Sequence, residues 1–259
     1  MKRFIIIILF LTLSLKGLNG QNFVYQPGEK VNYIIHYGMI TGGVATLELK
    51  REYIDGKEIW HSIMDSRTTG MADVLFKVMD IYESFIDPVT ELPVKSIRNA
   101  NEGRYHRYNV NLFDHKSRKD SAIINSNLSG KHIAPQGIHD IISCFYFFRN
   151  RYLPYIDRYK QGDIINITTW FTDELYPIRM KYITTEEVKT KAGKILCHKF
   201  NPVTEVGRLF KTQEDVSFWF SADKNYLPVK IRFDIFVGAF TVDMVSYEGT
   251  VYPLEIKTK

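Results

Sequence analysis

Short runs of alternating apolar and polar residues fill most of the chain, broken by glycine and proline. Val31 to Tyr37, Val44 to Lys50 and Lys57 to Ser66 alternate β-branched or aromatic residues with polar ones. Such a period of two marks half-buried strands. A glycine-rich link, Gly38 to Gly43, joins the first two, and Asp55-Gly56 turns into the third. Met71, Leu75, Val78 and Met79 fall at helical spacing behind Thr68 and Thr69, so a short helix or turn is expected over 69–78. Strands resume at 80–86, 92–99 and 104–113. The polar stretch 114–137 holds at most one more, at 121–125. Then the period changes. Ile138, Ile141, Ile142, Phe145, Phe148 and Tyr152 predict an amphipathic helix over 137–153, which Pro154 stops. Beyond it strands are expected at 164–171, 177–189, 195–202, 212–220, 226–236 and 239–247, with a short one at 252–256.

The second set repeats the first. Phe85, Leu92, Pro93 and Lys95 return as Phe220, Leu227, Pro228 and Lys230, each 135 residues later. Gly28-Glu29 is echoed at Gly162-Asp163, and Gly56-Lys57 with His61 at Gly193-Lys194 with His198, at offsets of 134 and 137. Three anchors in one order indicate a duplicated unit of about 100 residues. The expected fold is mainly β: an antiparallel curved sheet or barrel built from two similar halves, 28–125 and 162–250, with one principal helix between them. Residues 21–259 form a single domain on this reading.

Residues 1–20 are read apart from that domain. Lys2 and Arg3 precede an apolar run from Phe4 to Leu15, and a small residue, Gly20, stands before Gln21. This is the layout of a secretory signal peptide, and the apolar run is too short to span a bilayer comfortably, which favours a cleaved signal over a membrane anchor. Export to a periplasm follows as the expectation. Three of the 34 basic and none of the 29 acidic residues lie in this leader, leaving 31 against 29 in the remainder. So balanced a surface gives no reason to invoke nucleic acid. Cys144 and Cys197 sit in apolar surroundings, where pairing and free burial both remain open.

Three stretches resemble a bacterial family known as domain of unknown function 3108. They are Asp80 to Asp87 through Leu92-Pro93 and Glu102-Gly103-Arg104-Tyr105, then His139 to Ser143 through Arg149, then Val216 to Ser221 through Leu227-Pro228-Val229. The resemblance implies an exported envelope protein and supplies no activity. Members look broadly similar to lipoprotein-carrier folds, in which a curved antiparallel sheet wraps a helix and shelters an acyl chain.

Candidate chemistry is sparse. His61 and His198 occupy matching positions of the two halves, but no metal-binding motif surrounds them, and no metal or cofactor is expected. Asp87 reads as a turn residue and Asp140 as an acid in the first helical turn. Glu83 and Glu102 read as ion-pair partners of nearby arginines. Ser143 and Cys144 read as packing residues, and no catalytic residue is assigned. Phe145, Phe148, Arg149 and Tyr152 are the candidate ligand-binding residues: aromatic walls, with Arg149 placed to meet a carboxylate or phosphate at a cavity mouth. The leading reading is a non-enzymatic envelope protein that binds a lipid-like ligand or a protein partner in a β cavity closed by the helix. An envelope interaction scaffold without a cavity, and a hydrolase of envelope polymers, are the alternatives.

Overall fold

The computed structural model describes residues 23–203, 215–234 and 238–257. The leader at 1–20 therefore lies outside the described residues, as do the first residues of the strand expected from 212 and the last of that expected to 236. In chain order the strands of the first half are β1 (Lys30–Tyr37), β2 (Ile40–Ile54), β3 (Lys57–Thr68), β4 (Met79–Ile86), β5 (Pro93–Glu102), β6 (Tyr105–Asp114), β7 (Ser121–Ser126) and β8 (Gly130–Pro135). Helix α1 (Gly70–Leu75) separates β3 from β4. A two-residue strand, β9 (His139–Asp140), leads into helix α2 (Ile141–Arg151) and a 3-10 turn at Leu153–Arg158. The second half holds β10 (Ile164–Ile167), β11 (Thr169–Phe171), β12 (Glu174–Leu175), β13 (Ile178–Lys189), β14 (Lys194–Pro202), β15 (Val216–Ser221), β16 (Pro228–Asp234), β17 (Ala239–Glu248) and β18 (Ile256–Lys257).

Fourteen of these strands form one antiparallel path, β10-β13-β14-β15-β16-β17-β1-β2-β3-β4-β5-β6-β7-β8, with β18 added on β14. The sheet is curved and stays open, because edge strands β10 and β8 do not pair. Six strands, β1 to β6, lie in the same order as β10, β13, β14, β15, β16 and β17, and the two runs meet where β17 pairs β1. Strands β9, β11 and β12 make a separate three-stranded sheet.

Several boundaries differ from those read in the sequence, each for a local reason. Helix α2 begins at Ile141 rather than Gly137, because Asp140 caps it: its carboxylate accepts from the backbone of Ile142 at 2.8 Å and Ser143 at 3.0 Å, and the Ser143 hydroxyl accepts from Asp140 N. Residues 114–137 hold two strands, since β8 supplies a partner to β7. The run 164–171 breaks at Thr168, where β10 stays with β13 and β11 turns to pair with β9.

Helix α2 lies against the curved face of the main sheet. Ile142 and Tyr146 join an apolar cluster with Tyr25, Val31, Leu47, Leu49, Trp60 and Met244. Cys144 and Phe148 join a second with Leu153, Ile165, Met180, Phe200 and Phe220. Both cysteines are free thiols buried in these cores, and burial pushes the Cys197 thiol up to about 12.

Candidate functional site: an apolar trough beside the helix

Residues paired directly across antiparallel strands lie on one face of the sheet. Contacts with α2 identify which face is concave. Ser62 pairs Ser84, and the Ser62 hydroxyl donates to Tyr146 Oη at 3.3 Å while Ser84 donates to Asp140 at 2.5 Å. Across the sheet, Phe200 pairs Phe218 and His198 pairs Phe220. Phe148 meets Phe200 edge-on at 5.1 Å, and Phe145 lies 5.4 Å from Phe220. These residues therefore all face the helix.

Two rows continue across that face. Phe218, Ile231, Val242 and Ile35 pair in turn across β15, β16, β17 and β1. Val216, Phe233, Phe240 and Tyr37 form the row beside it. Helix α2 does not cover them fully. Val216 is buried, but Phe218, Ile231, Phe233, Val242 and Ile35 are half-buried, and Phe240 is 43% exposed. Phe218 stacks near Phe220 at 6.5 Å, so an aromatic line runs from Phe145 on the helix into the trough.

The first half covers the same face differently. There it is polar, with Ser84, Ser96, Asn109 and Asn111, and the β11–β12 hairpin lies over it. Phe171 stacks over Tyr82 at 6.4 Å and sits 5.1 Å from the Arg98 guanidinium. What remains is a small space of about 20 Å³ bordered by Asn111 and Trp170. Asn111 Oδ1 and Trp170 Nε1 are buried there without a protein partner, so the space suits one water better than an apolar guest.

The four residues singled out in the sequence separate in space. Phe145, Phe148 and Tyr152 belong to the aromatic cluster around Phe200 and Phe220. Arg149 is fully buried on the other side. Its Nη1 and Nη2 meet Glu29 at 2.6 and 2.9 Å, and Nη2 also donates to the Asn225 carbonyl at 2.8 Å. Both terminal nitrogens are thus occupied by protein groups, and the neighbouring cleft of about 410 Å³ is lined by Asn150 and Arg151 instead. Sequence reading missed Glu29 and Asn225, which carry no signal of a partner more than 70 residues away.

Other expectations are corrected by the register. His61 and His198 do not match. His61 pairs Phe85 on the outer face, stacked on its ring at 4.0 Å and held between Glu52 at 2.6 Å and Glu83 at 2.7 Å. His198 faces the helix and meets Thr185 at 2.8 Å. The counterpart of His61 in the second half is Lys199, which pairs Trp219. Five strands stand between β3 and β14, and among the described residues no group of three His, Cys, Asp or Glu is placed to hold a metal. Glu83 therefore serves a histidine and not an arginine. Glu102 lies beside Asp80, and burial and that neighbouring carboxyl raise its pKa against the pull of Arg98.

His139 and Ser143 approach at 3.3 Å, but both are buried and the serine belongs to the helix cap.

The family model described as protein of unknown function (DUF3108) matches residues 32–245. The chain belongs to that family. Among solved structures, a β-barrel-like protein of the DUF1849 domain of unknown function from Brucella abortus is similar over 87% of this chain and 98% of its own, with a TM-score of 0.57 at 7% identity. That likeness supports the β-barrel-like fold alone. A candidate lipoprotein from Parabacteroides distasonis (12% identity, TM-score 0.34, covering 87% of this chain and 97% of its own) and a candidate exported protein with a YmcC-like fold from Bacteroides fragilis (10%, 0.33, 87% and 98%) are more distant in shape. No curated protein matches the sequence. Among the described residues no helix is long and apolar enough to cross a membrane.

Proposed function

We propose that this DUF3108 protein is a non-enzymatic binding protein of the cell envelope, exported to the periplasm, which holds an apolar or lipid-like ligand in the trough between α2 and strands β15, β16, β17 and β1. The observation that carries the reading is the pair of cross-strand apolar rows left half-exposed on a concave face. A sheet with one apolar face must cover it, and a helix of 11 residues is about 16 Å long, too short to cover this one. Phe145 forms the helix side of the site, with Phe148 buried behind it, and Phe218, Ile231, Phe233 and Val242 form its floor. Arg149 fixes the helix that bounds the site and does not touch the ligand. Ligand pockets of this kind are lined mainly by apolar and aromatic groups.

Native mass spectrometry of protein isolated from its own cells tests this directly, with a retained small molecule of apolar character as the expected result. A second arm measures binding of a naphthylamine dye that fluoresces in apolar surroundings. Ile231→Asp is expected to weaken dye binding by about tenfold or more, since a carboxylate in the floor is costly to desolvate. Absence of any retained molecule, together with equal dye binding by the variant, overturns the proposal.

A further inference from the structure

The open end of the trough carries an apolar surface that the fold does not use. The row through Phe240 and Tyr37 ends on Ile40, which pairs Tyr37 across the β1–β2 turn. Met39 at that turn is fully exposed, and Ile40 is 67% exposed. Helix α1 packs beside it. Thr69 N donates to the Gly42 carbonyl at 2.9 Å, and a side chain at Gly42 would touch the Ala72 methyl. None of the six residues of α1 is buried. Met71, Val74, Leu75 and Phe76 point outward, from Phe76 at 57% to Val74 at 81% exposed. Single exposed apolar residues are ordinary, but six in one place on a short helix and an adjoining turn are not.

Charges of both signs lie beside the patch, but the exposed ones are cations, while the acids Asp73 and Glu102 are half-buried and Asp80 is buried. Phe76 packs on Gly103, whose amide donates to the Lys77 carbonyl, so Lys77 and Arg104 bracket the ring. Both are exposed, and neither has an ion pair among the described residues. The acid of α1, Asp73, is turned back to accept from the Thr68 hydroxyl at 2.9 Å. Outward apolar side chains flanked by free cations are the chemistry of a segment lying in the headgroup layer of an anionic bilayer.

We infer that α1 and the β1–β2 turn dock the protein on an anionic lipid surface, with the mouth of the trough toward the bilayer. The inference rests on the ligand-binding reading for its purpose and on these residues for its geometry. A docked mouth lets an apolar ligand pass between bilayer and trough without crossing water.

The test is flotation of protein isolated from its own cells with vesicles of phosphatidylglycerol mixed with phosphatidylethanolamine, and with phosphatidylcholine alone. Wild type is expected to float with the anionic vesicles and less with the neutral ones. Leu75→Glu with Phe76→Glu is expected to reduce flotation about tenfold or more while leaving naphthylamine dye binding intact. Lys77→Glu with Arg104→Glu, which spares the apolar contacts, is expected to abolish the preference for anionic lipid. Equal flotation of all three forms, or self-association of wild type through Leu75 and Phe76 in place of vesicle binding, overturns the inference. Dye binding without flotation removes the docking and leaves the trough. Flotation without dye binding or a retained molecule removes the trough and leaves the docking.

Discussion

Arg149 and Glu29 form a two-pronged ion pair with both side chains out of water, and it ties the middle of the chain to the start of β1. The guanidinium also lies over Tyr25 at 5.7 Å and Tyr146 at 5.5 Å. Removing either partner strands the other charge in a low-dielectric site. Arg149→Met is therefore expected to cost about 3–5 kcal/mol, and Glu29→Leu a similar amount. The double replacement should recover much of that loss, because no charge is left unpaired. Urea unfolding of the three variants measures this, and additive losses would mean the pair is not coupled.

Helix α2 starts where Asp140 tells it to. The carboxylate satisfies two orphan backbone amides and accepts from Ser84, although burial alone raises its pKa. Asp140→Ala should cost about 1–2 kcal/mol in urea unfolding. Asp140→Asn keeps a side-chain oxygen at the cap and should lose less than half as much. Equal losses from the two would place the effect in the charge and not in the cap.

The turn chemistry of this fold was legible, and the faces of its strands were not. Asp87 marks its turn by accepting from Val89 and Thr90, as its position before Pro88 indicates. The repeat at 135 residues also holds on the returning strands, where Lys95 and Lys230 share the outer face. On the outgoing strands it fails by one residue. Phe85 pairs Lys95, whereas Trp219, not Phe220, pairs Lys230, because seven residues separate Phe220 from its partner Pro228 while six separate Ile86 from Pro93. A shift of one residue exchanges the two faces of a strand. That is why Phe85 is outside and Phe220 inside, and why His61 and His198 looked equivalent. One added turn residue leaves no composition signal here, so the trough, which depends on which face Phe218 takes, was hidden for the same reason.

Stability should fall in acid through His139. Burial lowers its pKa to about 3 in the folded protein, against the usual value of about 6.5 in an unfolded chain. Between those values the unfolded chain binds the extra proton, so stability is full above about pH 6.5 and is lost as pH falls toward 3. Asp140, with its raised pKa, acts in the opposite sense and offsets part of the loss. His139→Gln should flatten the fall of unfolding free energy between pH 6.5 and 4 by about 1–3 kcal/mol. An unchanged slope would show that this histidine does not govern it.

The same turn position is strained in both halves. Glu91 and Tyr226 stand just before the Leu-Pro of their hairpins and take φ of 61° and 49°. A left-handed conformation costs a residue with a side chain about 1–2 kcal/mol relative to glycine. Replacing Tyr226 with glycine or with alanine deletes the same ring contacts, so those losses cancel between the two variants. Tyr226→Gly is therefore expected to be more stable than Tyr226→Ala by about 1 kcal/mol in urea unfolding, the reverse of the order found in a strand or helix interior. Glu91 cannot be tested as cleanly, since its carboxylate accepts from Asn150 at 2.5 Å and from Arg151 and Tyr25 as well. Alanine equal to or better than glycine at 226 would mean that the turn relaxes to a right-handed conformation once the ring is gone.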